Sequence, residues 1–204
     1  PRASPERAEA TKLMENIFGA VHITMANELK LGLARMDVNT GEVVDAAATK
    51  PFGFMPFCPG PGMGGHCIPV DPFYLAWRAK EFDTTAHFIE LAGKLHTEMT
   101  EHGGHRIHRA LKDDSKVIRG SSIMLLGVAY KRNIDDTRES PAGRLLELLE
   151  LKGARVSYHD PFVAEYYGRK STPLTARALR DCDMALVVTD HDDVDYALVG
   201  EHAL

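Results

Sequence analysis

Between Ser4 and Met36, apolar side chains recur every four residues, at Leu13, Ile17, Val21, Met25, Leu29 and Leu33. That is the spacing of one face of an α-helix. Ser4 as a cap and Pro5 at the first helical position give the helix its start. Unbroken to Met36, it would run roughly 48 Å at about 1.5 Å per residue, a length that commonly crosses a domain or subunit boundary. A short second helix is expected after Asn39, with Glu42 three residues on as its capping partner, and it should stop before Pro51. After a loop rich in glycine and proline, Asp71 and Pro72 mark another helix start, with PFYLAWRAKEF as its body. Phe88, Leu91, Leu95 and Met99 carry the helical pattern on toward Leu111, with a break expected at Gly103 and Gly104.

After KDDSKVIRG the pattern changes character. SSIMLLGVAY is a short apolar run, and SPAGRLLELLELKG is a helix capped by Ser140, with Pro141 first inside and Gly153 past its end. ARVSYHD reads as a second strand, PLTARALRDC as a second helix and MALVVTD as a third strand. This alternation predicts a parallel sheet with right-handed crossovers. The fold class is therefore α/β: an all-helical domain over 1–113 with a long N-terminal helix, then a small Rossmann-like parallel-sheet domain over 114–204. With three strands the second domain is short, and truncation at both ends of the chain is expected. Ligands of such sheets sit beyond the carboxyl ends of the strands. Those ends carry Lys131, Asp160 and Asp190, with Arg138 in the loop before the helix.

The chain has 204 residues, 44% hydrophobic and 26% charged, which is ample for a buried core. A net charge of -5 without a dense Lys/Arg block argues against nucleic acid or an anionic membrane as the main partner, and leaves room for a phosphate-bearing small molecule. No apolar run reaches the roughly 18 residues of a membrane span. The start, PRASPERAEA, has no secretory pattern, so a cytoplasmic protein is expected. Three scattered cysteines, Cys58, Cys67 and Cys182, make no disulfide framework and no CxxC pair, so reduced thiols are expected. His102, His105 and His108 step by three across a double glycine and match no common zinc pattern, so no metal is expected.

Chemistry concentrates in PGPGMGGHCIPVDP, residues 59–72. Its glycines let backbone approach a ligand, its prolines stiffen the path, and Cys67 lies just before a helix start, where a thiolate is favoured. His66 is adjacent to Cys67, but neighbouring side chains usually diverge, which weakens a Cys-His hydrolase. Lys12 and Asn16 lie four apart on one helix side, either a solvated face or two donors for an oxyanion. Asp71 reads equally as an N-cap or as a carboxylate that positions water near a thiol. Lys131 and Arg138 either pair with Asp135, Asp136 or Glu139, or clamp a diphosphate. No GxGxxG follows the first strand or occurs elsewhere, so the usual dinucleotide cradle is absent.

Taken together, TKLMEN, FGFMPFCPGPGMGGHCIPVDPFYL and GVAYKRNIDDTRESPA resemble the nucleotide-sugar dehydrogenase family, the UDP-glucose and GDP-mannose dehydrogenases, over nearly the whole chain. The loop in its PGPGxGGHCIPxDPFYL form is most similar to the UDP-N-acetylhexosamine 6-dehydrogenases. The resemblance implies a central helical domain and a UDP-binding domain, without the NAD-binding Rossmann domain that comes first in the family, and a homodimer through the long helix. It implies that Cys67 is the nucleophile, that Lys12 and Asn16 stabilise oxyanions, and that Asp71 assists water. Phe57, Cys58, Pro59, Gly60, Pro61, Gly62, Met63 and Gly64, with Tyr130 and Lys131, would contact a UDP-sugar substrate, while Arg138 and Cys67 would face NAD. The activity implied is oxidation of the sugar's primary alcohol to an acid, by two hydride transfers and a cysteine thioester. Gly19, His22, Cys58 and LHTEMTEHGGHRI depart from the family pattern. A non-catalytic remnant that dimerises and binds a nucleotide sugar or a partner is the alternative, with a thiol hydrolase third.

Overall fold

The computed structural model describes residues 4–65, 68 and 70–203. In chain order its elements are α1 (Pro5–Arg35), α2 (Thr40–Ala48), α3 (Asp71–Lys80), α4 (His87–Asp113), β1 (Ser122–Leu126), α5 (Pro141–Leu151), β2 (Arg155–His159), β3 (Glu165–Tyr166), β4 (Arg169–Lys170), α6 (Ala176–Arg180), β5 (Met184–Val187) and α7 (Tyr196–His202). The chain divides into two compact units between Met99 and Thr100, within α4.

In the first unit α1 starts where the sequence places it, with the Ser4 Oγ accepting from the Arg7 amide at 3.4 Å, and it ends at Met36. Its buried face differs from the apolar series. Asn16, Ala20, Thr24, Ala26 and Asn27 are buried, whereas Met25 and Leu29 are 49% and 53% exposed. Small and polar side chains let neighbouring backbone come close enough to hydrogen-bond: Thr24 Oγ1 donates to the Ala92 carbonyl of α4 at 3.5 Å. At α2, Asn39 Oδ1 accepts from the Gly41 amide at 2.9 Å and Asn39 Nδ2 donates to Glu42 Oε1 at 3.4 Å, so the capping pair closes side chain to side chain.

The break expected at Gly103 and Gly104 does not occur, for α4 is helical through both. The two glycines receive α5 instead. A Cβ on Gly103 would lie 3.4 Å from Leu145 Cδ2, and one on Gly104 only 2.6 Å from Leu148 Cδ2. Close packing outweighs a helix-propensity penalty of about 1 kcal/mol per glycine. The buried positions of α4 are Ile89, Ala92, Met99, Ile107 and Leu111, while Phe88 and Leu91 of the expected series are exposed.

In the second unit β2, β1 and β5 form a parallel sheet in that order, with Ile123 opposite Val156 on one side and Met184 on the other. The unalternating run of β1 follows from burial on both faces. Ile123 and Leu125 pack with Leu145, Leu146 and Leu149 of α5, while Met124 and Leu126 pack with Leu179 of α6. Each fully buried leucine contributes about 1.5–3 kcal/mol. Ser140 caps α5 as expected, its Oγ accepting from the Ala142 amide at 3.2 Å. Two elements escape the sequence pattern. The β3–β4 hairpin turns at Tyr167 and Gly168, with φ of 49° and 72°. It is tethered by the Tyr158 hydroxyl, 3.1 Å from the Val163 carbonyl and 3.3 Å from that of Arg169. The second, α7, is capped by Asp195, whose Oδ1 accepts from the Leu198 amide at 3.0 Å.

Candidate functional site

Candidate residues collect in two clusters, one in each unit. In the first, Asn16 is 6% exposed and its Nδ2 donates to Asp71 Oδ2 at 2.6 Å, joining α1 to the start of α3. Asp71 is therefore not the N-cap. Val70 holds that position without a side-chain bond, and the Asp71 carboxylate sits in the first helical turn, where the helix field favours a negative charge. Lys12, one turn before Asn16, is exposed. On the other side of Asn16, a Cβ on Gly19 would lie 3.9 Å from Ile68 Cδ1, so this stretch of α1 faces the chain just after Cys67. Cys67 itself lies outside the described residues, as does His66.

The loop from Phe57 to Gly64 runs against α1 and α4. The Phe57 ring stacks on His22 at 5.2 Å and meets the edge of Phe18 at 5.9 Å, while His22 Nδ1 donates to the Phe18 carbonyl at 2.7 Å. Cys58 is an exposed free thiol, and Pro59, Pro61, Gly62 and Gly64 are half-buried. The Gly60 amide donates to Asn27 Oδ1 at 2.8 Å, and the Met63 amide to His96 Nδ1 at 3.1 Å. Burial pushes the His96 pKa below its ordinary value, which favours the neutral ring that this acceptor role requires. Neither Asn27 nor His96 stands out in the sequence. The available signal was a line of small and polar residues, Asn16, Ala20, Thr24 and Asn27, winding along α1.

In the second unit Lys131 is exposed, and Tyr130 is half-buried with its amide donating to the Asp136 carbonyl at 2.9 Å. Arg138 pairs with Asp136: Nε lies 3.0 and 3.1 Å from its two carboxylate oxygens, and a terminal guanidinium nitrogen lies 2.6 Å from one of them. The carboxyl ends of the strands are tied together by Asp160, 3% exposed. Its Oδ2 accepts from the Val128 amide at 2.7 Å, the Ala129 amide at 3.2 Å and His191 Nε2 at 3.1 Å. Its Oδ1 accepts from the amides of Phe162 and Val163 at 2.8 and 3.0 Å. His191, fully buried, takes the Asn133 amide on Nδ1 at 2.9 Å, which fixes the proton on Nε2. Beside it, at the end of β5, lies an open hollow of about 410 Å³ lined by Arg132, Asp190, Asp192 and Tyr196 among others. Arg132 there pairs with both Asp190 and Asp192.

Among the described residues no three His, Cys, Asp or Glu side chains group to hold a metal, and His105 and His108 are exposed. No helix among them is long and apolar enough to cross a membrane.

Residues 6–97 match the UDP-glucose/GDP-mannose dehydrogenase family, central domain, and residues 124–203 match the UDP binding domain of the same family. A UDP-N-acetyl-D-mannosamine dehydrogenase of Methanocaldococcus jannaschii is 31% identical, over 91% of this chain and 41% of that protein. The solved UDP-D-ManNAc dehydrogenase of Pyrococcus horikoshii superposes with a TM-score of 0.83 at 31% identity, covering 95% of this chain and 45% of that one. An NDP-N-acetyl-D-galactosaminuronic acid dehydrogenase of Methanosarcina mazei gives a TM-score of 0.85 at 26% identity, over 96% and 44%. The chain thus spans less than half the length of these relatives.

Proposed function

The chain belongs to the UDP-glucose/GDP-mannose dehydrogenase family, and we propose that it is the substrate-holding part of an NAD-dependent nucleotide-sugar 6-dehydrogenase, oxidising the primary alcohol of a UDP-N-acetylhexosamine to a uronic acid. The acetamido sugars in the names of its relatives support that substrate class. The observation that carries the reading is the bond of the buried Asn16 amide to Asp71. It ties an oxyanion donor to a carboxylate at the start of the helix that follows Cys67 in sequence.

In this reading the primary alcohol first gives up a hydride and its hydroxyl proton, the proton passing to solvent, and the Cys67 thiolate attacks the resulting aldehyde, forming a C–S bond as the carbonyl oxygen becomes an alkoxide. Loss of the second hydride leaves a thioester. Water then adds to its carbonyl, and the C–S bond breaks to release a carboxylate and the thiolate. Asn16 Nδ2 carries two hydrogens; one is committed to Asp71 and the second is assigned to the developing oxyanion, with the Lys12 ammonium, one turn earlier on α1, assigned to the same oxygen. Asp71 accepts one proton of the attacking water, and the second passes to solvent as the product acid ionises. NAD, when bound to the whole enzyme, takes up the two hydrides. The residues after β1 do not fit its pyrophosphate: a Cβ on Gly127 would lie 2.1 Å from the Thr189 carbonyl, so that glycine serves packing and not a phosphate cradle. Arg138 and Cys67 are the residues of this chain assigned to NAD. Phe57 to Gly64, with Tyr130 and Lys131, are assigned to the UDP-sugar. A homodimer through α1 is supported by Met14, Phe18, Met25 and Leu29, which leave much of their surface in solvent.

A calorimetric titration with UDP-N-acetylglucosamine, with UDP-glucose as control, tests the reading. Preferential binding of the acetylated sugar together with rapid carboxymethylation of Cys67 near neutral pH is expected. Absence of binding with an inert Cys67 would replace it with a non-catalytic remnant.

A further inference from the structure

We propose that Asn27 and His96 are positioning residues that clamp the backbone of the glycine loop at two points, Asn27 holding Gly60 from α1 and His96 holding Met63 from α4. The role assigned to that loop rests on the nucleotide-sugar reading above; the clamp itself does not. Among the described residues, no backbone–backbone hydrogen bond involves residues 57–65. A segment with four glycines between 60 and 65 and prolines at 59 and 61 has no ladder or turn bond to fix its path. The two side-chain bonds, at 2.8 and 3.1 Å, do that work, and they bracket Pro61 and Gly62.

The chemistry of Asn27 points the same way. It is 1% exposed, and its Nδ2 has no hydrogen-bond partner. A buried donor left unpaired is unfavourable, so the amide is a poor choice for packing alone, where a leucine of similar size would leave no such orphan. What the amide provides and a leucine cannot is the oxygen that holds Gly60. His96 likewise presents an acceptor nitrogen to Met63, whose side chain is 6% exposed and anchors the same end of the loop. Backbone held from two helices keeps its ligand-facing groups in one geometry, which reduces the ordering cost of binding.

The test uses the full chain and three variants, Asn27→Leu, His96→Leu and His96→Asn, the last of which places an amide oxygen where Nδ1 stands. Amide hydrogen exchange is read by NMR, and UDP-N-acetylglucosamine binding by calorimetry. Asn27→Leu should speed exchange about tenfold at Gly60, and His96→Leu should do so at Met63, each weakening binding by a similar factor. The thermal midpoint of Asn27→Leu should stay within about 3 °C of the parent. His96→Asn should restore both slow exchange at Met63 and affinity. Unchanged exchange in the two leucine variants overturns the clamp, as does His96→Asn behaving like His96→Leu. Faster exchange with unchanged affinity overturns its positioning role. A parent chain that binds no UDP-N-acetylglucosamine and carries an inert Cys67 overturns the nucleotide-sugar reading, and exchange at Gly60 and Met63 then decides the clamp by itself.

Discussion

Replacing Asp160 by Asn keeps the shape of the side chain and removes one acceptor oxygen, which makes it a direct test of the knot at the carboxyl ends of the strands. The two carboxylate oxygens accept from four backbone amides and from His191 Nε2. An asparagine must turn its NH2 toward one side or the other. Toward Phe162 and Val163 it opposes two amide donors; toward Val128 and Ala129 it opposes two amides and the histidine. A tautomer switch at His191 relieves nothing, because its Nδ1 would then direct a proton at the Asn133 amide, now 2.9 Å away. The milder orientation still loses two buried bonds to a carboxylate, each about 1.5–3 kcal/mol, or about 3–6 kcal/mol together. Against a typical total of about 5–15 kcal/mol, that loss should bring the second unit close to unfolding. Urea unfolding followed by tyrosine signals, with Tyr158 fully buried in that unit, measures it. A change below about 1 kcal/mol would show that these bonds do not hold the strand ends together.

The glycines separate cleanly. Gly127→Ala puts a Cβ 2.1 Å from a backbone carbonyl at φ +78° and should cost about 3 kcal/mol or more, whereas Gly104→Ala meets only the tip of Leu148 and should fall within about 1 kcal/mol of the parent, both read by urea unfolding. For His96, burial lowers the folded pKa below the ordinary 6.5, so below that pH the unfolded chain binds a proton that the folded chain refuses. Its contribution is therefore complete above 6.5 and lost as pH falls toward the lowered value. Thermal midpoints between about pH 8 and 5 should fall more steeply for the parent than for His96→Asn, and parallel curves would refute the assignment.

The α/β class and the parallel sheet were legible because each rests on a local rule. A strand buried on both faces writes an unbroken apolar run, as β1 does, and Ser140 with Pro141 announces α5 whatever packs on it. The double glycine of α4 misled because a glycine pair encodes equally a helix break and a place for another helix to come close, and only Leu145 and Leu148 of α5 decide between them. Asp71 was ambiguous for a related reason. A carboxylate at a helix start can cap that helix or bond to another element, and only its partner 55 residues earlier in the chain, Asn16, shows that it is not the cap. The β3–β4 hairpin carries Tyr167 where Asn or Gly would announce the turn, so its signal lies in the distant Tyr158 hydroxyl.

On α1 the period holds, but the residues that the chain itself buries are not those of the apolar series, and that difference bears on assembly. An apolar stripe at helical spacing records that some surface must be covered without recording by what. The chain's own loop and neighbouring helices take the line of Asn16, Ala20, Thr24 and Asn27, because loop backbone without a ladder needs acceptors and close approach more than it needs apolar area. Met14, Phe18, Met25 and Leu29 are left largely in solvent. If α1 is the proposed dimer helix, that residue set is the core of the interface, and a polar substitution such as Met25→Glu should abolish the dimer while leaving the Gly60 and Met63 amides protected. Analytical ultracentrifugation combined with hydrogen exchange measures both. A Met25→Glu chain that still sediments as a dimer would place the interface elsewhere and leave the exposed face of α1 without a partner.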